Sequence, residues 1–457
     1  MAELASTEPG SAAAPNEPAE SQLLLRQRRG WYYYAWASHV FPTIVVTVFM
    51  GRYLTSVAEN AVGKQGRVHL FGLPVAPGSL FVYIVSLSTV LLVIAMPVVG
   101  AIADRTGAKR DILLGFGWLG AAACIAMFAV RGSNWQLGAV LFVVAYFGYS
   151  CATVVNYSLL IDVSASADRD RVSSQGWAIG YIGGGLVLAA DFVLSLFLSD
   201  KAMLARISLA SAGIWWALFN VKPWVMLRQL PRDAMSSRSG DSVLLGGFRQ
   251  LASTLRDLRR YPHTLAFLIA FLIYNDGIQT VTTVAAQYGD KQLHLGDTVL
   301  LSSILIVQFV AFGGALWLGR LAGRFGARPV VLASLVGWLV LVVVAYFLQA
   351  GAAWQFYLLA VAIAIVLGGS QALSRSIFSR LIPAGREAEY FGFYEVSDSG
   401  TSWFGPLLFG LAYQLTDSYR SALASLVVFF VLGFVLLARV PLWAGMAEAG
   451  NPAPAKV

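Results

Sequence analysis

Apolar runs of close to 20 residues alternate with short polar turns from Trp31 to Val440. At 1.5 Å per residue, one such run crosses the ~30 Å hydrocarbon core of a bilayer as a helix. Twelve spans are expected. Those before the chain's midpoint fall at about 31–49, 80–103, 111–130, 136–160 and 173–197, with a sixth ending near Trp224. The others fall at about 264–285, 298–319, 329–349, 353–378, 390–414 and 421–440. Residues 1–30 read as a disordered cytoplasmic tail, 31–227 as one six-helix bundle and 228–262 as a cytoplasmic central loop. A second six-helix bundle covers 263–441, and 442–457 forms a short cytoplasmic tail. Within the central loop, Leu251, Leu255 and Leu258 suggest a short amphipathic helix at the membrane surface. Span 5 is glycine-dense, with Gly176, Gly180 and Gly184 at every fourth residue, so a neighbouring helix can approach closely.

Composition agrees with a lipid-facing surface. Of the 457 residues 58% are hydrophobic and only 12% charged, and the mean hydropathy is +0.68. A soluble domain carries about a quarter charged residues. The net charge of +8 does not require a nucleic-acid partner. Eight basic residues (Arg52, Lys64, Arg67, Arg131, Lys201, Arg206, Lys291, Arg420) fall outside, and the other 24 of 32 sort to one side. Retained basic charge sets orientation, so both termini are expected in the cytoplasm. Cys124 and Cys151 lie in apolar spans without His companions, which argues against a zinc site or a disulfide framework. The first apolar run follows Arg26, Arg28 and Arg29 and is long enough to remain as an anchor rather than a cleaved signal.

Between spans 2 and 3 lies GAIADRTGAKR, Gly100 to Arg110, and from Gly319 to Arg328 the chain reads GRLAGRFGAR. Gly100/Gly319, Ala103/Ala322, Arg105/Arg324, Gly107/Gly326 and Ala108/Ala327 fall in register, an offset of 219 residues that is close to half the chain. The expected fold is therefore an all-α polytopic membrane protein of two pseudo-symmetric six-helix bundles. The second copy has Gly323 where the first has Asp104, so the two hairpins are not equivalent.

The string Gly100-x-x-x-Asp104-Arg105-x-Gly107-x-Lys109-Arg110, placed between spans 2 and 3, resembles the signature loop of the major facilitator superfamily. Four further segments resemble the vacuole-effluxer family linked to autophagy, which has many bacterial members. They are Trp31 to Phe41 (WYYYAWASHVF), Asp168 to Gly185 (DRDRVSSQGWAIGYIGGG), Phe271 to Thr280 (FLIYNDGIQT) and Gly385 to Gly410. The resemblance implies the major facilitator fold and secondary transport; the best-known fungal members are described as releasing amino acids from the vacuole. The chain departs from the family at Ala35 and Ala37-Ser38-His39, where an acid and then Ala, Asn and Ser are usual. It departs again at Asn156-Tyr157 and Ile161-Asp162, in place of Tyr-Asn and Pro-Glu.

The resemblance also implies places for candidate residues. Superfamily geometry sets Asp104 beside the cytoplasmic end of span 11, where a carboxylate favours the positive helix N-terminus. Arg105 or Arg110 could pair with Asp162 and complete a latch; alternatively the basic residues serve only as topology charges. Span 7 carries Asn275, Asp276, Gln279, Thr280 and Thr283, with 276, 279, 280 and 283 on one face by the helical period. Asp276 falls roughly 20 Å in, and Glu395 and Asp398 of span 11 roughly 8–12 Å in, counting 1.5 Å per residue. An acid at such depth faces a wet cavity or finds a partner. Asp276 is the leading substrate or proton site, and Glu395 with Asp398 a coupling pair. Against this, Asp276 could bond a neighbouring helix, and Glu395 and Asp398 could be structural partners of Arg375 or Arg380. Asp191 is expected at the solvated outer boundary of span 5. His39, Asn156 with Tyr149 and Thr153, Gln308, and Gln371 with Ser370 and Ser374 complete the candidates.

The expected activity is alternating-access transport of a small solute, amino acids among the options, plausibly proton-coupled and outward, with no cofactor or metal. Competing classes are a membrane receptor or scaffold using the central loop, or a sugar or drug transporter of the same superfamily; no nucleophile–base arrangement supports an enzyme. The chain is expected to act as a monomer. Arg outnumbers Lys 26 to 6, which suggests a GC-rich bacterial genome and a bacterial plasma membrane.

Overall fold

A computed structural model describes residues 17–63, 65–228, 258–400, 404–416 and 418–452. Most of the central loop, with Leu251 and Leu255, lies outside them, as do residues 1–16 and 453–457. The described chain is all-helical apart from one β-hairpin, β1 (Val68–Leu70) paired antiparallel with β2 (Leu73–Val75). Among the described residues, eleven helices are long and apolar enough to cross a membrane.

The first bundle holds α1 (Glu17–Ser38), a π-helical segment (Phe41–Phe49) and α2 (Met50–Val62), which together form span 1 and extend beyond it. It continues with α3 (Pro77–Thr106), α4 (Lys109–Ala126), α5 (Trp135–Asp162), α6 (Arg169–Phe197) and α7 (Lys201–Met226) as spans 2 to 6. The second bundle holds α8 (Pro262–Lys291), α9 (Asp297–Phe325), α10 (Ala327–Tyr346) and α11 (Ala353–Ser379) as spans 7 to 10. Span 11 is α12 (Glu387–Glu395), a π-helical turn (Val396–Gly400) and α13 (Phe404–Thr416), and span 12 is α14 (Tyr419–Ser425) with α15 (Val427–Arg439). A short α16 (Leu442–Glu448) follows.

Three expectations change. The tail expected to be disordered through residue 30 is helical from Glu17, and its later part is anchored: Gln27 is buried and Arg28 Nε donates to the Val163 carbonyl at 3.1 Å. Span 11, expected as one regular α-helix, turns π-helical at Val396–Gly400, where Gly400 is a weak α-helix former. Asp191, expected in solvent at the membrane boundary, is only 4% exposed because α6 turns it into the bundle.

The two bundles meet along α3 against α12 and α6 against α9 and α11. Each has its own aromatic and aliphatic core: Phe41, Phe142 and Trp216 in the first, Phe271, Trp338 and Phe430 in the second. Each half is thus packed around a core of its own.

Candidate functional site

The hairpin after α3 is made by Gly107, whose φ of 64° is a left-handed conformation that glycine adopts without strain. It aims the end of α3 at the start of α12. A Cβ at Gly100 would lie 2.2 Å from the Ala388 carbonyl oxygen, so here the two backbones touch. In that contact Asp104 Oδ1 accepts from the Ala388 N–H at 3.1 Å, and Oδ2 from the Glu389 N–H at 2.9 Å. A carboxylate from one bundle thus satisfies two free N–H groups at a helix N-terminus of the other.

Lys109 completes the rim. Its Nζ lies 3.2 Å from Asp162 Oδ2, 3.4 Å from Glu387 Oε2 and 3.8 Å from Asp104 Oδ1. This corrects the expected partner of Asp162, which is neither Arg105 nor Arg110. Each helical step rotates by about 100°, so Lys109 faces the acids while Arg110 turns away to Asp111, 3.0 Å off. Arg105 is likewise one step past Asp104 and falls on the stripe of Ile94, Val98 and Ile102, which line an apolar cleft.

A second set of bonds joins the bundles on the same side. Arg380 Nη1 donates to Asp170 Oδ1 at 3.0 Å and its Nη2 to the Ser166 carbonyl at 3.1 Å. Arg169 Nη1 donates to the Ser379 carbonyl at 3.2 Å, and Ser173 Oγ to that of Ala372 at 2.6 Å. Arg375 Nε and Nη2 reach back to Ser173 Oγ and its carbonyl, at 3.0 and 2.9 Å. Arg375 is 4% exposed, and its Cζ lies 5.1, 4.8 and 5.7 Å from the ring centroids of Trp31, Tyr157 and Trp177.

Deeper in, four polar residues from three spans converge. Asn275 Nδ2 donates to Asp398 Oδ1 at 2.6 Å, Gln279 Nε2 to the same oxygen at 3.3 Å, and Gln371 Nε2 to Asn275 Oδ1 at 2.6 Å. Tyr274 and Ser374 share a 2.6 Å hydrogen bond beside them. Asn275 and Gln371 are buried and Asp398 is half-buried in the π-helical turn of span 11. The arrangement places an acid among amide groups that can exchange partners, in a low-dielectric setting where each bond counts.

Asp276 is not in this cluster. Its Oδ2 accepts from the Gly405 N–H at 2.7 Å, in the first turn of α13, while Oδ1 is buried with no hydrogen-bond partner among the described residues. The face expected to carry 276, 279, 280 and 283 therefore divides. Asn275 and Gln279, four apart, look to Asp398, whereas Asp276 and Thr280 pack on Gly405, where a Cβ would fall 1.9 Å from Thr280 Oγ1.

Glu395 is buried at the end of α12, within electrostatic reach of Arg375, Tyr149 and Tyr157. Arg375 and Arg380, the alternative partners of Glu395 and Asp398, direct the hydrogen bonds described above to Ser173, Asp170 and Ser166. His39 packs edge-on against Trp177 and Tyr181, with its Nδ1 buried and unbonded. Asn156 lends its carbonyl to Trp31 Nε1 at 2.8 Å, while its own Oδ1 has no partner. Neither joins the Asp398 cluster through a hydrogen bond. Gln308 Nε2 donates to Thr43 Oγ1 across the bundles at 3.1 Å. Sequence reasoning gave Lys109 no partner and offered Arg375 and Arg380 only as partners of Glu395 and Asp398, although Asp168–Gly185 and Gly385–Gly410 flank or contain many of the residues they meet.

Two helical bundles, joined at one end by hydrogen bonds and ion pairs and enclosing a polar cluster, form the fold of the major facilitator superfamily. The fold matches the MFS proton:xylose symporter XylE with a TM-score of 0.65 at 14% identity, covering 93% of this chain and 97% of that one. It also matches a bacterial homologue of the iron transporter ferroportin, with a TM-score of 0.63 at 14% identity over 92% and 98%. The chain belongs to the family described as vacuole effluxer Atg22 like, which it matches over residues 25–450. An uncharacterized MFS-type transporter of Bacillus subtilis, YxiO, is 30% identical over 91% of this chain and 95% of its own length. Autophagy-related protein 22 of Eremothecium gossypii is 28% identical over 92% of each.

Proposed function

We propose that the chain is a secondary active transporter that moves amino acids by alternating access, with protons as the coupling ion and Asp398 at the solute site. The observation that carries this reading is the cluster of Asp398 with Asn275, Gln279 and Gln371 at the π-helical turn of span 11. A lone carboxylate in a bilayer is costly. Here two amide groups stand where a solute ammonium would bind, and each can turn to the solute's other polar atoms when displaced. Protonation of a neighbouring acid offers a second way to neutralise the site; Asp276, with one buried oxygen unbonded among the described residues, and Glu395 are the groups for it.

The hairpin side is assigned to the cytoplasm from the distribution of basic residues, which puts both termini there. The bacterial relative supports a plasma membrane, and two complete bundles in one chain support action as a monomer. Latch residues Asp104, Lys109 and Asp162, with Asp170 and Arg380, then close the cytoplasmic gate; Arg105 and Arg110 serve as topology charges.

Reconstitution into proteoliposomes with a panel of amino acids and sugars, with and without a pH gradient, tests the reading. Amino-acid flux that collapses with the gradient is expected. Flux indifferent to the gradient would remove proton coupling, and flux of sugars alone would remove the substrate assignment.

A further inference from the structure

Arg375 stands on α11 of the second bundle, with Glu395 and Tyr394 of that bundle within electrostatic reach, yet the rings and hydrogen-bond acceptors described above for its guanidinium belong to the first: Trp31 of α1, Tyr157 of α5, and Ser173 and Trp177 of α6. The enclosure does not depend on Arg375 for its shape. Trp31 is held by its Nε1 bond to the Asn156 carbonyl, and its ring lies where a Cβ on Gly176 would fall 2.4 Å away. Tyr157 follows Asn156 on the same helix. Trp177 rests on His39 and Tyr181, with ring centroids 5.2 and 5.7 Å apart. Ser173 is fully buried and faces the cage with both a hydroxyl and a carbonyl oxygen.

Trp31 and Trp177 are held by contacts within the first half, and with the Ser173 oxygens and the Tyr157 ring, which also touch Ala372, Phe391 and Tyr394 of the second, they form a receptor for a flat or small cation. If the halves separate at the hairpin end as rigid bodies, Arg375 leaves with its own bundle and the cage opens to the cavity. We propose that Trp31, Tyr157, Trp177 and Ser173 form a cation site of the first bundle, filled by Arg375 when the hairpin side is shut and by a guanidinium or ammonium group of the solute when it is open. The solute part of this proposal rests on the amino-acid reading above. Arg375 then acts as a tethered competitor: its return displaces the solute's cationic group and closes the gate in one step.

The test uses full-length protein carrying 5-fluorotryptophan, with methylguanidinium as the probe and the Trp31 and Trp177 resonances assigned by Trp31→Phe and Trp177→Phe. In Arg375→Ala both resonances should move saturably, at a midpoint at least about tenfold below any response of the wild type, as the loss of a competing caged cation implies. Arg375→Gln serves the same purpose should the alanine variant fail to fold. Arg375→Lys, which keeps a cation in place, should remain unresponsive. Equal responses in wild type and Arg375→Ala, or none in either Arg375→Ala or Arg375→Gln, would overturn the site. In wild-type proteoliposomes, methylguanidinium on the hairpin side should compete with the solute; no competition would overturn the exchange. The binding arm needs no transport, so its failure is distinguishable from failure of the amino-acid reading.

Discussion

Asp104 accepts two backbone N–H groups of the opposite bundle and lies beside Lys109, so its charge ties three elements together. Charge-assisted hydrogen bonds are each worth about 1.5–3 kcal/mol. Asp104→Asn keeps the shape and one good acceptor but loses the charge. It is expected to preserve expression, raise labelling of a cysteine placed on the hairpin side by roughly tenfold or more, and lower transport. Unchanged turnover and labelling would contradict the latch. Asp104 was legible in the sequence because an acid directly after an apolar span, in a known loop, has few places to go. Lys109 was not: neighbouring basic residues differ only by a rotation of about 100°, and the phase of α4 depends on where Gly107 ends α3. Arg375 was illegible for another reason, since its partners lie some 200 to 340 positions away and are aromatic rings rather than acids.

At the level of elements, α3 and α12 lie so close that the signature glycine has a mechanical role. The collision awaiting a Cβ at Gly100 is with the Ala388 backbone, which cannot rotate aside as a side chain could. Gly100→Ala is expected to cost about 1–3 kcal/mol in the state closed on the hairpin side, in line with overpacking elsewhere. A lower melting temperature together with greater hairpin-side labelling would show it; wild-type behaviour in both would contradict the close approach. The twelve-span pattern was readable because 20-residue apolar runs carry their own signal. The π-helical turn of span 11 was not read, because mean hydropathy across 390–414 carries no signal for a local change of helix type. That turn matters most for the site, because it holds Asp398.

Across the whole molecule, the hydrogen bonds described between the bundles gather at the hairpin end, apart from Gln308 to Thr43. The chain is therefore held shut at that end, with the Asp398 cluster between the latches and the far side. Lys109 sits at the rim and is 16% exposed, whereas Arg380 is 1% exposed. Salt screens exposed pairs more than buried ones. Raising ionic strength from about 0.01 to 1 M should weaken the Lys109 pairs first, so a salt-induced rise in hairpin-side labelling should shrink in Lys109→Gln. A rise of equal size in both proteins would place the salt-sensitive contact elsewhere. The central claim is that solute binds at Asp398, and Asp398→Asn tests it most directly, because the amide keeps an oxygen for Asn275 and Gln279 while removing the charge. Amino-acid flux measured in proteoliposomes at matched protein density should fall at least about tenfold in Asp398→Asn, with the hairpin-side labelling of the wild type retained; flux at the wild-type rate would contradict the account.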